Sequence, residues 1–114
     1  MRLQAVANLD GRKTQGLAMS LAIAAEDESK PDIQREMYLA LGRIGSKDAI
    51  NALQKAAEPS RRLFKRKSAA SRLAAIEGLH LAGPSAANAI KRFVQDQDPE
   101  VRAAAEKALS TMWA

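Results

Sequence analysis

Residues 99–109 read PEVRAAAEKAL, and related stretches occur at 31–41 as PDIQREMYLAL and at 69–79 as AASRLAAIEGL. A shorter copy, RLQAVANL, occupies residues 2–9. The final leucines of the four copies lie at positions 9, 41, 79 and 109, so the unit is repeated about every 30 residues. Such a repeat indicates that similar structural units stack along the chain.

Each copy has the pattern of an amphipathic helix, because apolar or small residues recur at spacings of three and four. Pro31 and Pro99 suit the first position of a helix, where no amide donor is needed. Ser68 and Asp98 are predicted N-caps. The composition agrees, since the chain has 24 Ala and 12 Leu but only two Phe, one Tyr and one Trp. Alanine has the highest helix propensity of all residues.

A second helix is predicted after each of the first three copies, over residues 14–26, 48–58 and 85–96. Gly45 and Gly83 end two of the first helices, and glycine readily adopts the left-handed conformation of a C-terminal cap. A pair of helices this small cannot bury its apolar face alone, so neighbouring pairs must pack together. The sequence therefore predicts an all-α fold in which helical hairpins stack as an α-solenoid.

Residues 96–109, DQDPEVRAAAEKAL, resemble the first helix of a HEAT repeat. The turn LGRIG at 41–45 and the following residues 48–53 are similar to the short bacterial HEAT-like repeats first described in phycobilisome lyase subunits. The resemblance implies a right-handed superhelix of about 3.5 hairpins. It also implies one domain over 1–114, with repeats at 1–29, 30–60, 68–97 and 98–114, the last partial. Because the first copy lacks a capping residue, we expect a fragment of a longer array. Gln34, Tyr38 and His80 depart from the family pattern.

The net charge of +5 is concentrated in one segment, the basic run 61–67, and the rest of the chain is neutral. Its five cationic residues are a candidate anion-binding loop: Arg61, Arg62, Lys65, Arg66 and Lys67. The run could bind phosphate, nucleic acid or an acidic protein, with Phe64 available to stack. Alternatively, it is a solvated loop whose Leu63 and Phe64 cover the core. The acidic linker 26–32 connects a second helix to the next first helix, as the basic run does. Both segments are therefore predicted to lie at the same edge of the solenoid.

The second helices supply the candidate partner-binding residues Asn51, Lys55, Lys91, Arg92 and Gln95. The HEAT resemblance places such helices on a concave face, which would then be mildly basic. The alternative is that these side chains only solvate a helix surface. No aromatic side chain is predicted beside them, which weakens the expectation of base stacking.

Arg2, Arg72 and Arg102 occupy equivalent positions in three copies of the repeat. In HEAT-like repeats this arginine resembles a ladder residue that pairs with an aspartate of the preceding loop, which for Arg102 is Asp96 or Asp98. A structural role is therefore expected for Arg72, Arg102 and Asp98, with ligand binding as the alternative. His80 is explained as a cation near a helix C-terminus.

Catalysis is not expected, because the chain has one His and no Cys from which to assemble a nucleophile and base. The same shortage argues against a metal site, and no glycine-rich loop suggests a cofactor. No stretch predicts a membrane span or a signal peptide, so a cytoplasmic protein is expected. The sequence favours a protein–protein interaction scaffold, with a nucleic-acid or phosphate-binding module as the alternative. A non-catalytic subunit of a lyase-like or regulatory complex follows from the resemblance alone.

Overall fold

A computed structural model describes the backbone over residues 11–59 and 68–112, and the side chains of these ranges from residue 16 onward. Helices contain 88% of the described residues, and none of those residues lies in a strand. The prediction of an all-helical fold is therefore confirmed. Within these ranges, no helix combines the length and the apolar character needed to cross a bilayer.

Six α-helices and two short 3-10 helices make up the described chain. In order they are α1 (Gly11–Asp27), α2 (Pro31–Ile44), α3 (Lys47–Ala57), α4 (Ala69–Ala82), a 3-10 helix (Gly83–Ala86), α5 (Ala87–Lys91), a 3-10 helix (Arg92–Gln95) and α6 (Pro99–Met112). Helices α1 and α3 match the predicted second helices within a few residues. The predicted helix over 85–96 is instead a mixed segment, 83–95, in which 3-10 turns flank α5.

Local hydrogen bonds explain where several helices begin. The Ser46 Oγ accepts a hydrogen bond from the Ala49 N–H at 3.1 Å, and the Ser68 Oγ accepts one from the Ser71 N–H at 3.1 Å. The Asp98 Oδ1 accepts a bond from the Glu100 N–H at 2.8 Å. These contacts satisfy amides that have no partner inside the helix. The predicted caps Ser68 and Asp98 are thus confirmed.

The two cap glycines differ in conformation. Gly45 is left-handed, with φ 62° and ψ 11°, and its N–H donates to the Leu41 carbonyl at 3.0 Å. Gly83 also has a positive φ of 86°, but its ψ of −158° is extended. The left-handed conformation predicted for Gly83 is therefore wrong. Pro84 explains the difference, because a proline ring forces the preceding residue toward extended ψ values.

The helices form two layers. In one layer α2 packs against α4 and α4 packs against α6, while in the other α1 packs against α3 and α3 against α5. Across the layers, α1 contacts α2, α2 contacts α3, α3 contacts α4, and α5 contacts α6. Between the layers lies the core, whose largest fully buried side chains are Leu41, Leu53, Ile76, Leu79, Ile90 and Val101.

Two glycines allow α2 and α4 to approach closely. A Cβ atom added to Gly42 would lie 2.2 Å from the carbonyl oxygen of Gly78. A Cβ atom added to Gly78 would lie 2.5 Å from the carbonyl oxygen of Tyr38. Both distances are far below van der Waals contact, so the backbones of the two helices touch directly at this crossing. The packing of α2 on α4 therefore depends on residues without side chains.

Candidate functional site

An open groove of about 1230 Å³ crosses the edge of the molecule where α1 and α3 end and where α2 and α4 begin. Helix α1 contributes Met19 and Ile23, and the turns that follow α1 and α3 contribute Ser29 and Pro59. Asn51 of α3 also lines the wall. Because four helices supply the lining, the groove exists only when both layers are packed together.

Carboxylates are concentrated in this groove. The described ranges contain twelve Asp and Glu residues, and six of them line it. These six are Glu26, Glu28, Asp32, Asp48, Glu58 and Glu77. Among the described residues, the cationic side chains of the lining are Arg35 and Lys55. Arg35 Nε donates to Glu77 Oε2 at 2.8 Å, which neutralises one carboxylate of the rim. Carboxylates therefore outnumber cationic side chains by six to two in the described part of the lining.

The groove also exposes apolar surface. Met19 and Ile23 lie one turn apart on α1 and are 52% and 59% exposed. Tyr38 lies on the floor, almost fully buried. Burial raises the pKa of Tyr38; its hydrogen bond with Ser71 opposes the rise and the charge of Glu26 adds to it. The phenol therefore stays protonated at neutral pH. The groove thus combines an apolar strip, formed by Met19 and Ile23, with the neutral hydroxyl of Tyr38 and the surrounding carboxylates.

The five predicted partner-binding residues differ in whether they line a groove. Asn51 and Lys55 line the acidic groove, and Asn51 also lines a smaller groove of about 430 Å³ between α3 and the segment 83–95. Lys91, Arg92 and Gln95 are exposed but line neither groove. Partner binding by these five residues stays a prediction. The groove of about 1230 Å³ has mainly acidic residues among its charged described lining residues, which the sequence pattern did not predict.

The basic run 61–67 lies outside the described residues, so the anion-binding role of Arg61, Arg62, Lys65, Arg66 and Lys67 stays a prediction. Pro59 and Ser68, which bound the segment 60–67, both line the acidic groove. Glu26, Glu28 and Asp32 of the acidic linker line it as well. The acidic linker and the residues on either side of the basic run therefore lie at one edge, in agreement with the prediction.

Arg72 forms the main buried polar cluster of the described chain. Arg72 is 7% exposed, and its Nε donates to the carbonyl oxygen of Ala57 at 2.7 Å. The guanidinium also forms a salt bridge with the Asp96 carboxylate. Arg72 of α4 thus connects the end of α3 with the loop before α6.

Arg102 and Asp98 make different contacts from those expected. Arg102 Nη1 donates to the carbonyl oxygens of Asp96 at 2.9 Å and Gln97 at 3.4 Å, and no bond to a carboxylate is found for it. Arg102 therefore contacts Asp96 through the backbone carbonyl and forms no direct salt bridge with the Asp96 or Asp98 carboxylate. The reason is that Asp98 caps α6 while the Asp96 carboxylate is occupied by Arg72.

Gln34 makes the same kind of contact as these arginines. It occupies the equivalent repeat position, and its Nε2 donates to the Ala25 carbonyl at 2.9 Å. Ala25 lies in the last turn of α1, as Ala57 does in α3. Positions 34 and 72 thus share a hydrogen bond to a backbone carbonyl in the last turn of the preceding helix, whereas position 102 donates to backbone carbonyls of the loop before its own helix.

The charge state of Asp96 follows from this cluster. Burial by itself would raise the pKa of Asp96, but hydrogen bonds from Arg72 and from the Asp98 N–H, with the charges of Arg72 and Arg102, hold it below its ordinary value. The Asp98 N–H lies 2.9 Å from Asp96 Oδ1. Asp96 is therefore ionised at neutral pH and serves to neutralise Arg72.

His80 contacts a hydroxyl group of the neighbouring helix. Its Nε2 lies 2.7 Å from the Thr111 Oγ1, which joins the exposed ends of α4 and α6. Over the described ranges, no group of three or more His, Asp or Glu side chains is arranged to hold a metal ion. The polar side chains therefore assemble two features, the acidic groove and the buried Arg72 cluster.

No protein-family model matches the sequence, and a search of curated proteins finds no match.

Proposed function

We propose that the chain is a short α-solenoid of HEAT-like hairpins that binds another protein in the acidic groove. The groove is the observation that carries this proposal. At about 1230 Å³ it exceeds the range of about 300–1,000 Å³ that is usual for small-molecule pockets. A cleft of this size, lined by exposed Met19 and Ile23 and bordered by charge, suits a segment of polypeptide.

The order of helix contacts supports the solenoid. Helices from successive repeats lie side by side within each layer, so each predicted hairpin contacts mainly its neighbours in sequence. The shared contact of Gln34 and Arg72 with the last turn of the preceding helix supports equivalent hairpins. Stacked repeats of this kind characteristically present grooves that act as protein-binding surfaces.

The proposal is tested with the apolar residues of the groove. The double variant Met19→Ser, Ile23→Ser removes exposed apolar surface without opening a buried cavity. The full chain and this variant are used as baits in the source cell extract, and captured proteins are quantified by mass spectrometry. We expect one or more proteins to be recovered at least about fivefold less with the variant, since interface energy is concentrated in a few central apolar residues.

A matched control distinguishes binding in the groove from nonspecific binding to exposed apolar side chains. Ile33 and Leu81 are 42% and 48% exposed, and neither lines the groove. The variant Ile33→Ser, Leu81→Ser should therefore retain the captured protein. Direct binding of that purified protein to the three forms completes the test. Equal losses in both double variants, or no protein that depends on the groove, would contradict the proposal.

Nucleic-acid or phosphate binding is the second candidate function, and the distribution of charge favours testing it separately. The described ranges contain equal numbers of cationic and acidic residues, so the +5 excess lies in the rest of the chain, mainly at 61–67. If the chain binds a polyanion, changing the five cationic residues of this run to Ser should abolish binding. Affinity for single- and double-stranded DNA is measured over a salt series. Absence of binding at low salt would eliminate this candidate.

A further inference from the structure

One face of α2 is apolar and points away from α4. A Cβ atom added to Gly78 of α4 would meet the backbone of α2, so this repeat position faces the preceding repeat. Ala40 occupies the same position in α2, and its face of the helix continues at helical spacing with Ile33, Met37 and Ile44. Ile33 is 42% exposed, and the other three side chains are half-buried. The apolar face of α2 is therefore incompletely covered.

The corresponding positions are buried in the two following repeats. Ala75 and Gly78 are buried in α4, while Val101, Ala105 and Ala108 are buried in α6. Helix α2 packs on α4, and α4 packs on α6. In both repeats this face is thus covered by the first helix of the repeat before it. The apolar face of α2 has the same register and composition, so its natural occupant is the first copy of the repeat.

We infer that segment 2–10 of this chain packs on the apolar face of α2. Residues 1–10 lie outside the described residues and continue directly into α1 at Gly11. Helices α1 and α2 pack together and are joined by residues 28–30, so they are antiparallel and α1 begins beside the end of α2. The chain therefore brings Asp10 to one end of this face. The inference concerns the end of the stack and does not depend on the groove.

Two contacts between neighbouring repeats define which residues should meet. A Cβ atom added to Gly42 of α2 would lie 3.1 Å from the Cβ of Leu81 in α4. His80 Nε2 of α4 lies 2.7 Å from Thr111 Oγ1 of α6. Gly42 and His80 occupy one position of the repeat, and Leu81 and Thr111 occupy another. The register between successive first helices is therefore the same at both interfaces.

In this register the first copy meets α2 with complementary residues. Asp10 is placed beside Arg43, an exposed cation in the last turn of α2. Val6 is placed beside Ile33, at the position of the hydrogen-bonded tyrosine and serine between α2 and α4. An opposite charge and an apolar side chain thus occur where the repeat requires them. This complementarity favours the chain's own segment over a second copy as the occupant.

The experiment uses disulfide formation in the full chain, which has no Cys of its own. The double variant Asp10→Cys, Arg43→Cys introduces two thiols at the positions equivalent to Gly42 and Leu81, whose Cβ separation is close to that of a disulfide. Oxidised glutathione accepts the two hydrogens as the bond forms. Intact-mass spectrometry and non-reducing electrophoresis follow the reaction.

The matched control is Asn8→Cys, Arg43→Cys. Asn8 shares the repeat position of Ala40, which faces away from the following repeat, so its side chain should point away from α2. We expect the first variant to form an intramolecular disulfide at least about tenfold faster than the control, because a fixed geometry raises the effective concentration of the thiols. Thermal unfolding of the reduced forms verifies that both variants fold.

Charge reversal tests the same contact without introduced cysteines. Asp10→Arg and Arg43→Asp should each lower the Tm by roughly 1–5 °C, since like charges then meet at an exposed position. The combined variant restores opposite charges and should regain most of the loss. A double-mutant cycle of this kind removes the separate effect of each residue on its own helix.

Several outcomes would overturn this inference. Equal rates of intramolecular disulfide formation in the two cysteine variants would do so, as would the absence of a disulfide in the first. A disulfide between two chains would assign the apolar face of α2 to a second copy instead. Additive effects of the two charge reversals would contradict the contact between Asp10 and Arg43. Protein capture by Met19 and Ile23 is measured independently, so the proposed function can fail while this inference holds, and the reverse.

Discussion

Gly42 and Gly78 determine how closely α2 and α4 pack. The Gly78→Ala change would place a Cβ 2.5 Å from the Tyr38 carbonyl and 2.7 Å from a methyl group of Leu53. A backbone carbonyl cannot rotate away as a side chain can, so the helices must separate. We expect a loss of about 1–3 kcal/mol in the free energy of unfolding, measured by urea denaturation. Gly16→Ala is the control, since an added Cβ there meets no atom within 4 Å. It should stabilise α1 by about 0.5–1 kcal/mol, and equal effects of the two changes would contradict the close approach.

Asp96 predicts a dependence of stability on pH. Its pKa is lowered in the folded protein, so its contribution to stability is complete above its unfolded pKa of about 3.9 and is lost as the pH falls through the folded value. Asp96→Asn leaves the buried Arg72 without its counter-charge, which should cost on the order of 3 kcal/mol at pH 7. Urea denaturation of both forms at pH 7 and below about pH 4 measures the difference. It should shrink in acid, and a difference independent of pH would contradict this role.

At the scale of the helices, Gln34 and Arg72 make the same contact with the last turn of the preceding helix although their residue types differ. Gln34→Ala removes the hydrogen bond from Nε2 to the Ala25 carbonyl and should cost about 1 kcal/mol. Gln34→Arg introduces the residue found at positions 72 and 102 and keeps a donor, so most of the stability should remain. Thermal denaturation compares the three forms. If the two variants were equally destabilised, the shared contact would not hold α1 to α2.

The helices themselves were predictable because their boundary signals are local. Pro31, Ser68, Asp98 and Gly45 act within their own turn, so the sequence contains what is needed to place them. Segment 83–95 was predicted as one helix, and Pro84 at its start is the local signal that was underestimated.

The acidic groove could not be read from the sequence in the same way. Its carboxylates extend from Glu26 to Glu77 and come from four helices, so only packing brings them together. The close crossing at Gly42 and Gly78 has the same origin, because the two glycines lie at different positions of the repeat. The pairing of Arg72 with Asp96 likewise depends on which cationic side chain the packing of the helices places beside the carboxylate. Sequence patterns predicted the elements, and the contacts between repeats determined the site.

At the scale of the whole molecule, a solenoid and a globular helical bundle differ in how far a local defect spreads. In a linear stack, the free energy of unfolding is approximately the sum of the intrinsic stability of each repeat and the contribution of each interface between neighbouring repeats. Val101 is fully buried on α6, the last described helix, and Leu79 is fully buried on α4, which contacts both α2 and α6. The two positions therefore compare the last described helix with a central one.

The prediction concerns amide hydrogen exchange of the two variants, measured by mass spectrometry under native conditions. Val101→Ala should accelerate exchange in α6 and segment 83–95 while leaving α2 close to wild type, because α6 can open without the rest. Leu79→Ala should accelerate exchange in α2, α4 and α6 together, since it weakens the helix that joins them, at a cost of about 2–5 kcal/mol. If Val101→Ala accelerated exchange uniformly, the molecule would open as a single cooperative unit. Stacked hairpins would then be the wrong description, and the groove would have to be treated as part of one indivisible core.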